Sequence, residues 1–188
     1  PSYLNTQFGI KTTEGLGMAL IFTLYAIVML SLYGGKLPTI FIKRMKTNPY
    51  EARMRAMLIF AFMPLVVLFP QPLGTYSPWY PVILIGIGCA AHQSWSANIY
   101  TTVSDMFPKN AIATVTGIGG MAGGVSSMLM QACAGNLFVY ADEVQLEFLG
   151  FIGKPAGYFI IFCICSVAYL VGWIIMKTLV PRYKIIGG

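Results

Sequence analysis

The chain has 188 residues, 57% of them hydrophobic and 10% charged, with a formal net charge of +6 and a mean hydropathy of +0.72. A soluble domain carries roughly 25% charged residues to clothe its surface; this chain has too few, so its exterior must meet lipid rather than water. Nor does the positive charge point to nucleic acid: the basic residues sit between long apolar runs, where they report orientation in a membrane.

The chain opens Pro1-Ser2-Tyr3-Leu4, without a charged-then-apolar leader, and reads as a chain entered partway through. Five apolar stretches follow, over about 14–35, 55–70, 79–105, 110–137 and 155–179. Their runs are long and do not alternate, which predicts helices rather than barrel strands. All but the second, the shortest, approach or exceed the ~20 residues that cross a ~30 Å hydrocarbon core. The expected fold class is all-α integral membrane, with about five transmembrane helices.

Between the first and second spans lies a basic connection carrying Lys36, Lys43, Arg44, Lys46, Arg53 and Arg55 against Glu51. The second span, Met57 to Met63 at its centre, is apolar all round and is expected to tolerate lipid on most sides. An uncharged connection, Gln71 to Pro78, leads to the third span, which Lys109 follows. The fourth carries Gly117, Gly119, Gly120, Gly123 and Gly124 with Ser126 and Ser127, small residues that let another backbone approach, and so reads as a packing helix. Asp142, Glu143 and Glu147 against Lys154 mark the next connection. The fifth span is nearly all apolar and ends with Lys177, Arg182 and Lys184. Alternating the sides puts ten basic residues on one face and only Lys11 and Lys154 on the other, which predicts an external N-terminus and a cytoplasmic C-terminus.

Cys89, Cys133, Cys163 and Cys165 all fall in apolar stretches and read as buried thiols; no spacing suggests a metal site or a disulfide framework. No cofactor is expected.

The third span is the exception among the five. Its middle reads His92-Gln93-Ser94-Trp95-Ser96-Ala97-Asn98-Ile99-Tyr100-Thr101-Thr102. At 100° per residue, His92, Gln93, Ser96 and Tyr100 share an arc of about 100°, while Ser94, Trp95, Asn98, Thr101 and Thr102 occupy most of the opposite side. So polar a helix cannot face lipid; its groups need protein partners, water or a solute. Two readings follow: a wall of an aqueous solute cavity, or interhelical hydrogen bonding that holds the bundle together. His92, the single histidine, suits either a proton relay or a packing role. An intramembrane hydrolase with His92 as base is disfavoured, since there is no nucleophile elbow and no acidic residue at the middle of any span. The glycines of the fourth span make no phosphate loop, for no Lys-Ser or Lys-Thr follows them.

Ala91-His92-Gln93-Ser94-Trp95-Ser96-Ala97-Asn98, then Val103-Ser104-Asp105-Met106-Phe107-Pro108-Lys109, then Gly117-Ile118-Gly119-Gly120-Met121-Ala122-Gly123-Gly124 resemble helices ten and eleven of the anion:cation symporter branch of the major facilitator superfamily, and its hexuronate-transporter group above all. Gly34-Gly35 with the basic connection resembles the loop after helix eight, and Pro1 to Leu4 the outer end of helix seven. The resemblance implies the C-terminal part of a twelve-helix transporter, with the five spans as helices eight to twelve and the third span lining the central cavity. It also implies that most of the basic residues for the anion, and the acidic ones that couple protons, lie in the N-terminal helices of the same transporter.

On this reading the chain serves proton-coupled symport of a sugar acid by alternating access in a bacterial inner membrane. Gln93, Trp95, Asn98 and Tyr100 are the chief candidates for the substrate, followed by His92 and Ser96; their neutral groups suit sugar hydroxyls. The alternatives are a transporter of another small organic anion, such as an aldonate or aromatic carboxylate, and a membrane scaffold whose third span docks a partner helix.

Overall fold

The computed structural model describes residues 2–183; Pro1 of the opening and Lys184 of the basic count lie outside them. Helix α1 is Ser2–Phe8, and α2, Gly15–Val28, tightens into a 3-10 turn, Met29–Tyr33. The connection read as a basic loop is instead mostly a helix, α3 (Lys36–Met45). It is amphipathic: Leu37 and Phe41 pack against the core while Lys43 and Arg44 are exposed. Helix α4, Pro49–Phe62, begins earlier than the expected Arg55. The Asn48 side chain accepts from the Glu51 amide at 2.8 Å, and Pro49 occupies the first turn, where it needs no N–H partner. Pro64 then brings a 3-10 turn, Met63–Leu68, because it offers no amide to continue an α-helix.

After the short α5 (Pro70–Gly74) comes α6, Trp79–Met106, which ends where Pro108 forces Phe107 into an extended conformation. Helix α7, Lys109–Glu143, runs 35 residues; a two-stranded hairpin, β1 (Glu147–Phe148) with β2 (Phe151–Ile152), leads to α8, Lys154–Leu179. Leu149 and Gly150, both at positive φ, make its tight turn.

Three helical stretches are long and apolar enough to cross a membrane: Gly15–Met45, Lys109–Glu143 and Lys154–Leu179. The other two expected spans fall short on composition, α4 because Glu51, Arg53 and Arg55 occupy its first turns and α6 because of its polar middle. Large apolar side chains cover the outside, with Phe22, Leu32 and Met121 each more than 70% exposed. Such a surface belongs in lipid, and the fold is all-α and integral to a membrane.

Within the described residues the core departs from two expectations. Helix α4, expected to tolerate lipid on most sides, is the most buried: Tyr50, Ala52, Met54, Ala56, Met57, Phe60 and Ala61 are all inside, packed on Trp95 and Met106 of α6 and on Trp173 of α8. An all-apolar surface fits the centre of a bundle as well as it fits lipid. Helix α7, expected to be a packing helix, buries only Ala141. A Cβ added at Gly117, Gly119, Gly120, Gly123 or Gly124 would meet nothing within 4 Å. The close approaches lie elsewhere: a Cβ on Gly34 would stand 2.3 Å from Ser94 Oγ, and one on Gly88 2.6 Å from Val67. The cysteines are free, and none is buried within the chain; Cys133 and Cys165 are exposed. In a membrane protein an outward thiol still avoids water, so an apolar context did not require an inward position.

Hydrogen bonds sort the connections onto two ends. At one, Arg53 Nε donates to Asp105 Oδ2 at 2.5 Å, the Tyr183 hydroxyl to the Asp105 carbonyl at 3.1 Å, and the Tyr50 hydroxyl to the Val180 carbonyl. At the other, Ser2 meets Tyr158 at 3.0 Å and Gln71 donates to Gln7 at 3.1 Å. Arg53, Lys109 and Arg182 thus share the first end with the basic α3.

Candidate functional site

Helix α6 is built to present two faces. Its 28 residues span about 42 Å at 1.5 Å per residue, and the polar run occupies its middle. Ser94, Trp95, Asn98 and Thr102 are buried. His92, Gln93 and Tyr100 are exposed and Ser96 is half-buried, so the arc containing these four is the open one. Thr101 is the exception on the other side: it is exposed and bonds back to the Ala97 carbonyl at 2.6 Å.

Most polar groups of the buried face are bonded within the bundle. Ser94 Oγ donates to the Ala90 carbonyl at 2.9 Å and Thr102 Oγ1 to the Asn98 carbonyl at 2.7 Å. Asn98 Nδ2 donates to the Ser94 carbonyl at 2.8 Å and reaches the Gly34 carbonyl at 3.5 Å, joining α6 to the end of the α2 segment. Its Oδ1 is buried without a partner among the described residues. Trp95 stacks edge-on to Tyr169 at 5.5 Å, inside the core shared with α4. Two of the six sequence candidates, Trp95 and Asn98, therefore sit in the packing interior.

The remaining four share a face but not a cavity. Ser96 and Tyr100, with Thr116 and Gly119 of α7, line one of about 180 Å³. His92 lines another, of about 490 Å³, between α6, the Met63–Leu68 turn and α8. Gln93 projects from the same face between the directions of His92 and Ala97, and is exposed. Only the second cavity falls in the 300–1,000 Å³ range usual for small-molecule sites. No Lys or Arg occurs within 79–106, 110–153 or 155–176, so between their ends α6 and its helical neighbours α7 and α8 supply hydrogen-bonding groups but no cation.

Reading the sequence missed one residue of this neighbourhood. The hydroxyl of Tyr169, on α8, meets His92 Nδ1 at 2.5 Å. Its signal was slight, one of two phenols in a largely apolar helix.

The chain is similar to the hexuronate transporter of Escherichia coli strain K12, with 27% identity over 150 residues, 79% of this chain and 31% of the relative. The hexuronate transporter of E. coli O157:H7 matches to the same extent. The chain thus spans about a third of the length of the curated relatives it matches. No family model matches it, and no solved structure does so significantly. Over most of its length, then, this membrane chain is similar to a transporter.

Proposed function

We propose that the chain is the C-terminal, solute-facing part of a major facilitator transporter that moves a sugar acid, with hexuronates first, together with protons by alternating access. Its spans would stand as helices eight to twelve, in a bacterial inner membrane with the basic end in the cytoplasm. The observation that carries this reading is the open polar face of α6: His92, Gln93, Ser96 and Tyr100 share an arc the bundle leaves open, with only the Nδ1 of His92 engaged, by Tyr169. The likeness to hexuronate transporters supports the substrate class. A sugar acid presents several hydroxyls, which neutral donors and acceptors recognise, and one carboxylate, whose cation would come from the N-terminal helices.

A structural role is favoured for Trp95 and Asn98, because their burial and bonds tie α6 to α8 and to Gly34. The two roles separate in the full-length protein. Gln93→Ala or Tyr100→Phe removes one solute hydrogen bond, about 0.5–1.5 kcal/mol, so hexuronate affinity falls roughly 2- to 13-fold with the melting temperature unchanged. Asn98→Ala lowers the melting temperature instead. Wild-type affinity in both open-face variants would move the solute site off α6.

A further inference from the structure

We propose that Tyr169 is a positioning residue: its hydroxyl holds His92 in the neutral tautomer that carries the proton on Nε2, so the imidazole meets the solute as a donor. The solute half of this rests on the function proposed above; the tautomer half does not.

The geometry is a two-sided clamp. Tyr169 Oη lies 2.5 Å from His92 Nδ1. The Tyr169 ring meets the imidazole edge-on at 5.9 Å and the buried Trp95 indole edge-on at 5.5 Å. Packing against Trp95, which is 6% exposed, fixes where the phenol can put its oxygen. A phenol, with an ordinary pKa of about 10, keeps its proton at neutral pH and has one hydrogen to give. Among the described residues His92 Nδ1 is the only hydrogen-bond partner of that hydroxyl. Cys89 and Cys165 line the same cavity, but thiols accept weakly. Among the described residues no charged side chain lines it to rival the phenol for Nδ1.

Were the proton on Nδ1, two hydrogens would face each other unless the hydroxyl turned away. It would then give up its one strong acceptor for a cavity whose described side chains otherwise offer only weakly accepting sulfurs. Donation from Tyr169 to a bare Nδ1 avoids this and leaves the proton on Nε2. That nitrogen has no partner among the described residues, and the side chain is exposed. A donor at Nε2 suits the hydroxyl and carboxylate oxygens of a sugar acid. The opposite tautomer would offer those oxygens a lone pair.

The test is nitrogen NMR of [15N]histidine-labelled full-length protein in lipid nanodiscs, purified without a histidine tag, with the His92 signals identified by their loss in His92→Gln. Without solute at neutral pH, we expect His92 with Nε2 protonated and Nδ1 bare. Tyr169→Phe, which keeps the ring, should bring the two nitrogens toward a mixed-tautomer average and weaken hexuronate binding several-fold. A wild-type His92 protonated on Nδ1 overturns the proposal without any variant. So does a Tyr169→Phe protein whose His92 spectrum matches the wild type. If the tautomer shifts as expected while Tyr169→Phe and His92→Gln both bind hexuronate normally, the positioning of the imidazole is upheld and its role toward solute is overturned.

Discussion

Gly34, at the end of the α2 segment, packs against Ser94 of α6, and Gly34→Ala tests that contact. The added Cβ would lie 2.3 Å from Ser94 Oγ and 2.5 Å from Ser94 Cβ, with the Ser31 carbonyl at 2.9 Å. Ser94 cannot easily move aside, since it is buried and its hydroxyl is bonded to the Ala90 carbonyl. One extra methyl in a filled interior costs about 1–3 kcal/mol. In a chain of 188 residues that lowers the melting temperature by about 2–12 °C. Ser94→Gly removes both clashing atoms from the other side, at a helix-propensity cost below about 1 kcal/mol. Thermal melting of the four proteins of this cycle should show the double variant recovering most of the Gly34→Ala loss, a coupling of at least about 1 kcal/mol. Additivity within about 0.5 kcal/mol would refute the claim that these helices meet at Gly34.

At the basic end, Asp105→Asn should lower stability by about 1.5–3 kcal/mol, the worth of a charge-assisted bond, because the Arg53–Asp105 pair is 2.5 Å apart with side chains only 17% and 24% exposed. Melting of Arg53→Gln/Asp105→Asn should fall less than the sum of the two single changes, as contacting partners require. For orientation, single cysteines at Arg44, Thr75 and Glu143, in a protein lacking Cys89, Cys133, Cys163 and Cys165, should divide in intact cells: the last two react with an impermeant maleimide and the first does not. The reverse pattern would invert the proposed topology.

What the sequence disclosed depended on whether a signal was local. The ends of α6 were legible, since the polar-to-apolar change at Trp79 and the Pro108 stop act on their immediate neighbours. The start of α4 is legible too, in Asn48, Pro49 and Glu51, a cap that lies among charges ahead of the apolar run. Helix α3 likewise carries its helical spacing, Leu37 and Phe41 inward, beneath a basic composition. The destinations of whole faces were not legible. An apolar face reads alike whether it meets lipid or a neighbour, so the composition of α4 suits lipid although the helix forms the centre. Small residues permit close approach without supplying a partner, so the glycines of α7 stand open while Gly34 and Gly88 make the contacts. The two arcs of α6 were visible from periodicity, yet which arc was open required the fold, and the His92–Tyr169 pair joins residues 77 apart in sequence.

The division of α6 bears on how the proposed transport could proceed. Its buried arc is tied by Asn98 to Gly34 and by Trp95 to Tyr169, and its basic end by Asp105 to Arg53 and Tyr183. Trp173 Nε1 donates to the Met54 carbonyl at 2.8 Å, fastening α8 to α4 as well. A helix held along one side and at its end cannot rotate about its own axis without breaking several of these bonds together. A change of access in which α6 turned to expose Trp95 and Asn98 would therefore be costly. One in which α4, α6 and α8 move as a unit leaves every bond intact, and that is the rocking of a bundle about a midplane site. Under the proposed function, the same open face of α6, with His92, Gln93, Ser96 and Tyr100, would then serve the solute in both directions of access.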